Sequence, residues 1–434
     1  MPLYCGRNTD QPTSIWKGFR PVKSILKGKK CIWPDVFKDV GIYSIDCGGS
    51  HFAAVLNDGT LWTAGRNASK QLCRECEDGT ETEPNFGQVP GVNNAVQVSC
   101  GDHCTMILRS NGEVWAGGSN YGGMLGHPTS GLAYRGDFSR VEAIENGIHI
   151  CCHSNANGSI VLADGRVMTA GHGLYGELCR ETESWTTNMM GFVPNVNNAV
   201  KTFHAYDLTL MMRGDGSIWG GGKVGNLFAG FPFANTSGTS TDGIYFTNFG
   251  KVDALKNVKD IATSGGSNDL ALIVLNKNGT VGTVGNNESG ELCRYSGPRG
   301  SGLTESLTML SGIDNAVQVT CGSAGYSRGA GTGIVRADGT LWVAGSNACG
   351  ELFCNVPRRI IRDAGSNYAT NFCRVPDLTN VRSAHFGPYF GLVVLHDGTI
   401  LTSGYNVLGQ LGRAAVSGTT EQPNIGRIPS FNLF

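Results

Sequence analysis

The stretch "DGTLWTAG", Asp58 to Gly65, returns almost unchanged as "DGTLWVAG", Asp338 to Gly345. An Asp-Gly or Asn-Gly pair favours the positive backbone angles of a tight hairpin turn, because glycine has no side chain to clash. The Thr-Leu-Trp that follows is rich in strand-forming types. The unit recurs seven times, with its turn glycine at Gly59, Gly112, Gly165, Gly216, Gly279, Gly339 and Gly398. Successive copies are 53, 53, 51, 63, 60 and 59 residues apart, and each closes six residues later on another glycine, from Gly65 to Gly404. This register specifies an array of equivalent units.

Other segments keep phase with the turn. Upstream lies a strand ending in small residues, as in "VQVSCGDH" (Val96 to His103), then an apolar strand such as "FAAVL" (Phe52 to Leu56). Downstream comes a loop ending in "KQLCR", "GELCR", "GELFC" or "GQLG", then a segment such as "FGQVPGV" (Phe86 to Val92). Each unit offers about four short strands, the content of one propeller blade. The expected fold is all-β: a single seven-bladed propeller over residues 35–434 with a short N-terminal extension, residues 1–34. An open ring leaves unpaired strand edges, so Ile425 to Phe431 is expected to pair with the first unit.

Composition supports this reading and narrows the function. The 64 glycines among 434 residues are about twice the usual share, whereas charged residues make up only 16%. Hydrophobic residues reach 40%, too many for a disordered chain. With 34 basic and 35 acidic side chains there is no global field for nucleic acid or an anionic membrane. No apolar run is long enough to cross a bilayer. The opening "MPLYCGRNTDQPTS" lacks a secretory pattern, so synthesis in a cytoplasm is expected.

At "DGTILTSGYNVLGQLGR" (Asp397 to Arg413) the chain resembles the repeat of the regulator of chromosome condensation family, a seven-bladed β-propeller. The resemblance runs from about residue 40 to 434. It departs where the second glycine of "GQLG" becomes cysteine, at Cys73, Cys179 and Cys293, and in the degenerate fourth copy "GGKVGNLF" (Gly221 to Phe228). The resemblance implies the fold. It also implies an alternative function, guanine-nucleotide exchange on a small GTPase with chromatin contact, against which the neutral charge counts.

The first forty residues differ. "VKSILKGKKCIWPD" (Val22 to Asp35) sits among seven Lys or Arg between Lys17 and Lys38. It resembles a short segment of tailed-bacteriophage structural proteins, in which "V-x-x-I-x-x-G" leads into "W-P". That resemblance implies a virion protein of the tail, tail fibre or baseplate, made in the host cytoplasm and present in several copies per particle. Lys23, Ile25, Lys27 and Trp33 would then attach residues 1–34 to other virion proteins. The plainer reading is a basic, solvated arm or an outer strand of the closing blade.

Candidate chemistry is sparse. Trp62, Trp115, Trp219 and Trp342 share one repeat position and are expected to be mostly buried between blades. His51 and His103 are placed at matching positions, with Asn268 in copy five, as polar groups satisfying local backbone. Cys73-x-x-Cys76 has metal-ligand spacing and Cys151-Cys152-His153 adds candidates, but there is no second such pair. Cys73, Cys179 and Cys293 share one repeat position, and Cys47, Cys100 and Cys321 another, as small buried thiols do. Off-register Cys5, Cys31, Cys76, Cys354 and Cys373 are the candidates for oxidation in a virion. No metal, cofactor or enzymatic activity is expected.

Recognition is expected in loops on this scaffold. Phe231 to Phe249, Tyr295 to Thr308 and Asn355 to Asn371 are read as the insertions that widen the later spacings. Their aromatic residues, Phe231, Phe233, Tyr245, Phe246, Tyr295 and Tyr368, are candidates for contact with a host-surface glycan or protein. The competing role is a purely structural decoration or collar protein.

Overall fold

Each copy of the repeat folds into one four-stranded antiparallel sheet whose strands follow in chain order, and seven such sheets are present. The computed structural model describes residues 25–27, 30–32, 41–77, 79–127, 136–153, 157–184, 186–223, 249–264, 270–287, 290–294, 304–322, 331–347, 349–354, 369–414 and 425–429. In blade 1 the strands are Ile42–Cys47, His51–Leu56, Leu61–Arg66 and Thr82–Gln88. Blades 2 to 7 cover residues 95–140, 147–192, 199–251, 258–309, 316–374 and 381–427.

Burial follows from the arrangement. A blade is covered on both faces by its neighbours, so its second strand, His51–Leu56, is buried throughout. This is why "FAAVL" reads as a continuous apolar run rather than an alternating one. Seven hydrophobic clusters fill the seven gaps between adjacent blades. The closing gap holds Ile45, Phe52 and Leu56 of blade 1 against Phe390, Leu392 and Ile428 of blade 7. Each such side chain contributes roughly 1.5–3 kcal/mol on burial. The ring is closed by packing.

It is not closed by strand exchange. Gly426–Arg427, the outer strand of blade 7, pairs with Ile400–Gly404 of the same blade, contrary to the expectation that it joins the first unit. Face-to-face packing of blades 7 and 1 removes the need for a shared strand. The tryptophans are largely buried but keep an exposed edge, and Trp62 and Trp115 pack against the clusters between blades 7 and 1 and between blades 1 and 2. Each sits one residue inside its strand, and its indole N–H reaches the turn, as Trp62 Nε1 donates to Thr60 Oγ1 at 3.0 Å. Arg109, Arg213 and Arg336 lie over Trp115, Trp219 and Trp342 at 4.3, 4.0 and 5.5 Å. Phe86 flanks Trp62 with ring centroids 5.6 Å apart. The tryptophans therefore brace the turn end of the third strand.

The histidine register also shifts. His51 pairs with Gly65, and its counterpart opposite Gly118 is Cys104, so His103 lies one residue earlier, in the loop. Asn268 lies outside the described residues. The shared position of Cys47, Cys100 and Cys321 holds, because each ends the first strand of its blade. The cysteines that replace glycine sit in left-handed backbone, with φ of 56° at Cys73, 55° at Cys179 and 60° at Cys293. Gly126 and Gly412 occupy that position in blades 2 and 7, at φ 70° and 64°. Cys47, Cys73, Cys100, Cys179, Cys293 and Cys321, the cysteines of the two shared positions, are free thiols.

Ahead of the ring, Ile25–Lys27 and Lys30–Ile32 form their own two-stranded sheet. Lys23 and Trp33 lie outside the described residues.

Candidate functional site

The two ends of the propeller are built differently. One end carries the Asp-Gly and Asn-Gly turns between second and third strands. Gly59 there has φ 81°, and an added Cβ would stand 2.6 Å from Asn93 O, so only glycine fits. The Asp58 carboxylate accepts the Thr60 N–H at 2.9 Å, and Asp338 accepts that of Thr340 at 3.0 Å. The other end carries the loops joining first to second strands, around the axis, and third to fourth strands, at the rim.

A repeated clamp forms the root of the rim loop in five of the blades. Asn67 Oδ1 accepts the Leu72 N–H at 3.0 Å while its Nδ2 donates to Arg74 O at 2.8 Å. Asn120, Asn287, Asn347 and Asn406 make the same pair of bonds. Arg74 then turns back, with Nε donating to Thr63 Oγ1 at 3.2 Å and Nη2 to Thr63 O at 3.1 Å. Arg180, Arg294 and Arg413 repeat this on Thr169, Thr283 and Thr402. A Cβ on Gly87 would sit 2.8 Å from the Arg74 guanidinium, which explains the glycine of "FGQVP". The loop is closed at the arginine, and everything beyond it is free to vary.

Extra length is confined to this end, although not wholly where the spacings suggested. From turn glycine to the next blade takes Gly59 to Ala95 in copy one and Gly279 to Ala316 in copy five, nearly equal spans. Tyr295 to Thr308 is therefore not an insertion. The added length of that interval falls in the connection between Cys321 and Gly331, for which blade 1 needs only residues 48–50. A smaller extension falls between Ser264 and Ala271. Rim insertions do occur after Lys223 in blade 4 and after Cys354 in blade 6. Phe231, Phe233, Tyr245, Phe246, Tyr295 and Tyr368 lie outside the described residues. The Gly- and Ser-rich composition of the mouth segments, "SGGSND" and "CGSAGYSRGAG", was the available signal for the mouth loops.

Around the axis, side chains satisfy the free edges of the first strands. Ser44 Oγ accepts the Val98 N–H at 3.2 Å and Asp46 Oδ2 that of Cys100 at 2.9 Å. Gln97 brackets Ile150, and Gln318 brackets Ala384, each accepting N–H and donating to C=O. These polar residues stitch blade to blade, and nothing in the repeat pattern marked them.

The mouth also buries titratable groups. Burial pushes the pKa of His51 down to about 3, helped by His103, and that of His204 down to about 3, helped by His153. His153 falls to about 4, again by burial. Burial pushes Asp102 up to about 7. His51 Nε2 donates to Thr105 Oγ1 at 2.9 Å, whose hydroxyl in turn donates to Gln71 O at 2.7 Å. His204 contacts Ser159 Oγ at 2.7 Å and Thr209 Oγ1 at 2.8 Å. A serine beside a histidine is a nucleophile's setting, but Ser159 is fully enclosed and donates onward to Thr202 Oγ1 at 2.7 Å. No substrate reaches it. Among the described residues no three His, Cys, Asp or Glu side chains are arranged to hold a metal.

Residues 42–71 and 58–108 match models described as the Regulator of chromosome condensation (RCC1) repeat. The Regulator of chromosome condensation of Drosophila melanogaster is 31% identical over 143 residues, covering 32% of this chain and 25% of that protein. The E3 ubiquitin-protein ligase HERC2 of Homo sapiens is 24% identical over 248 residues, covering 53% of this chain and 5% of that protein. The alignments thus span a quarter or less of these two relatives. Among solved structures, Prp20p from Saccharomyces cerevisiae gives a TM-score of 0.69 at 17% identity, over 85% of this chain and 86% of that one. Yeast RCC1 (Prp20) with Kap60 gives 0.68 at 15% identity, over 99% and 91%.

Proposed function

From a chain of regulator-of-chromosome-condensation-type repeats folded as a seven-bladed propeller, we propose a non-enzymatic interaction module that binds through its loop-bearing end. The observation that carries this is the confinement of added length to one end, on a root closed independently of the tips. Variable loops on a rigid scaffold are where recognition concentrates. The setting that fits the run Val22 to Asp35 is a tailed-bacteriophage virion. There the basic N-terminal segment attaches to other virion proteins and the loops face a host-surface glycan or protein.

One deletion and one set of substitutions test this. Removing residues 1–34 should leave a folded propeller that no longer enters particles. Replacing Phe231, Phe233, Tyr245, Phe246, Tyr295 and Tyr368 by alanine should abolish adsorption to host cells with little change in Tm. Adsorption that survives the alanine set assigns the protein to virion structure alone.

A second reading is guanine-nucleotide exchange, favoured by the likeness to a yeast protein whose structure is described together with binding to Gsp1p and histones. Accelerated release of labelled GDP from a small GTPase by the purified chain would establish it over the first.

A further inference from the structure

The seam between blades 3 and 4 buries two carboxyls, one of which, Asp207, leaves an oxygen without a partner. Glu177 stands in the rim-loop root of blade 3, and its Oε2 accepts the Tyr175 N–H at 2.7 Å. Asp207 stands in the axial loop of blade 4, where its main-chain O accepts the Lys223 N–H at 2.7 Å. Glu177 is 1% exposed and Asp207 6%. Asp207 Oδ2 is buried without a hydrogen bond. The Asp207 carboxylate opposes the ionisation of Glu177.

Among the described residues, the other charged or titratable groups around them are few. Lys223 supplies an ammonium that lies over the Tyr175 ring at 4.6 Å. His204 and His153 are kept neutral by burial, and the Cys179 thiol, beside Glu177, is pushed up and stays protonated. Two ionised carboxylates against one ammonium would leave an unbalanced charge in a dry seam, a costly arrangement.

We propose that Glu177 and Asp207 form a proton-operated latch between blades 3 and 4, closed while the pair keeps a proton and loosened once both carboxyls ionise. Burial raises Glu177 to about 7 and Asp207 to about 6, the latter against the pull of Lys223. Both stand above their unfolded values, so the stability they confer is present at acidic pH. It is lost as pH rises from about 4 through these two values.

Seam 7/1 provides the reference. Gln410 occupies the place of Glu177, its Oε1 accepting the Leu408 N–H at 2.9 Å, and the facing axial loop is Gly48-Gly49-Ser50. Glu177→Gln should therefore fold. The test is hydrogen exchange on the full chain from about pH 5.5 to about pH 8, corrected for the intrinsic exchange rate. Opening of segments 173–182 and 199–213 should rise about tenfold over this range, the equivalent of one pKa unit, while seam 7/1 stays level. Glu177→Gln and Asp207→Asn should each abolish the rise. A level wild-type response, or a rise that persists in both variants, overturns the latch. So does closure restored at alkaline pH by millimolar calcium, which would make the pair a cation site instead.

Discussion

The turn end and the loop end of this propeller solve the same problem, how to reverse the chain, in two ways. At the turn end the bonds are local. Asp58 bonds to a backbone group two residues on, and no residue can be added without breaking the reversal. At the loop end Asn67 and Arg74 close the root from within, and the chain beyond Arg74 contributes nothing to that closure. The first design repeats seven times almost unaltered. The second allows tips of different length on one framework, since lengthening a closed loop costs little entropy.

That contrast can be broken or sharpened experimentally. The largest effect is expected at the turn end, where Gly59→Val forces a branched side chain into left-handed backbone against Asn93 O. It should cost about 3 kcal/mol or more in denaturant unfolding. A cost below about 0.5 kcal/mol, the usual size for a surface change, would mean the turn is not fixed by glycine.

The clamp comes next. Arg180→Ala removes the bonds to Thr169 Oγ1 and O, and leaves a buried hydroxyl with one partner fewer. A loss of about 2 kcal/mol is expected, with proteolysis rising first within residues 173–192. If protection there is unchanged, the root does not depend on the arginine.

Titration separates the ends more gently, because the strongly shifted buried groups described above gather at the loop end. His51 titrates at about 3 when folded and near 6.5 when unfolded. Its contribution is whole above the unfolded value and is lost as pH falls from about 6.5 toward 3. Asp102 works the other way, losing its contribution as pH rises from about 4 to 7. Tm followed against pH should therefore rise at neutral pH in Asp102→Asn relative to wild type, and converge with it near pH 4. A constant offset across that range would show that the carboxyl acts through packing alone.

The smallest effect is expected for Cys179→Gly. Relief of left-handed strain, about 1 kcal/mol, opposes the loss of a buried sulfur. Stability should move by no more than about 1 kcal/mol. A larger loss would show that the thiol packing at this position outweighs backbone strain.

Much of this was legible in the sequence because a turn is a local event. Asp-Gly or Asn-Gly at seven positions fixes seven hairpins, and "FAAVL" announces strands covered on both sides. The clamp was half visible: "GELCR" was noted as a recurring phrase, but its arginine meets a threonine eleven residues earlier, a distance no local pattern reveals. The tryptophans' shared register showed their equivalence, but not the exposed edge that each keeps at the turn. Likewise Tyr295 to Thr308 was read as an insertion because spacing between turn glycines sums two connections, and only strand boundaries divide them.

By itself, then, the sequence determined the number of blades, the turn at the root of each and the strands that must be buried, since all three follow from backbone preference and apolar pattern within about sixty residues. Tertiary structure alone decided how the ring closes, which polar side chains stitch the axis, and that Glu177 and Asp207 share a dry seam. Those outcomes join residues of different blades. Their energies depend on distance and burial, which the order of residues along the chain does not contain.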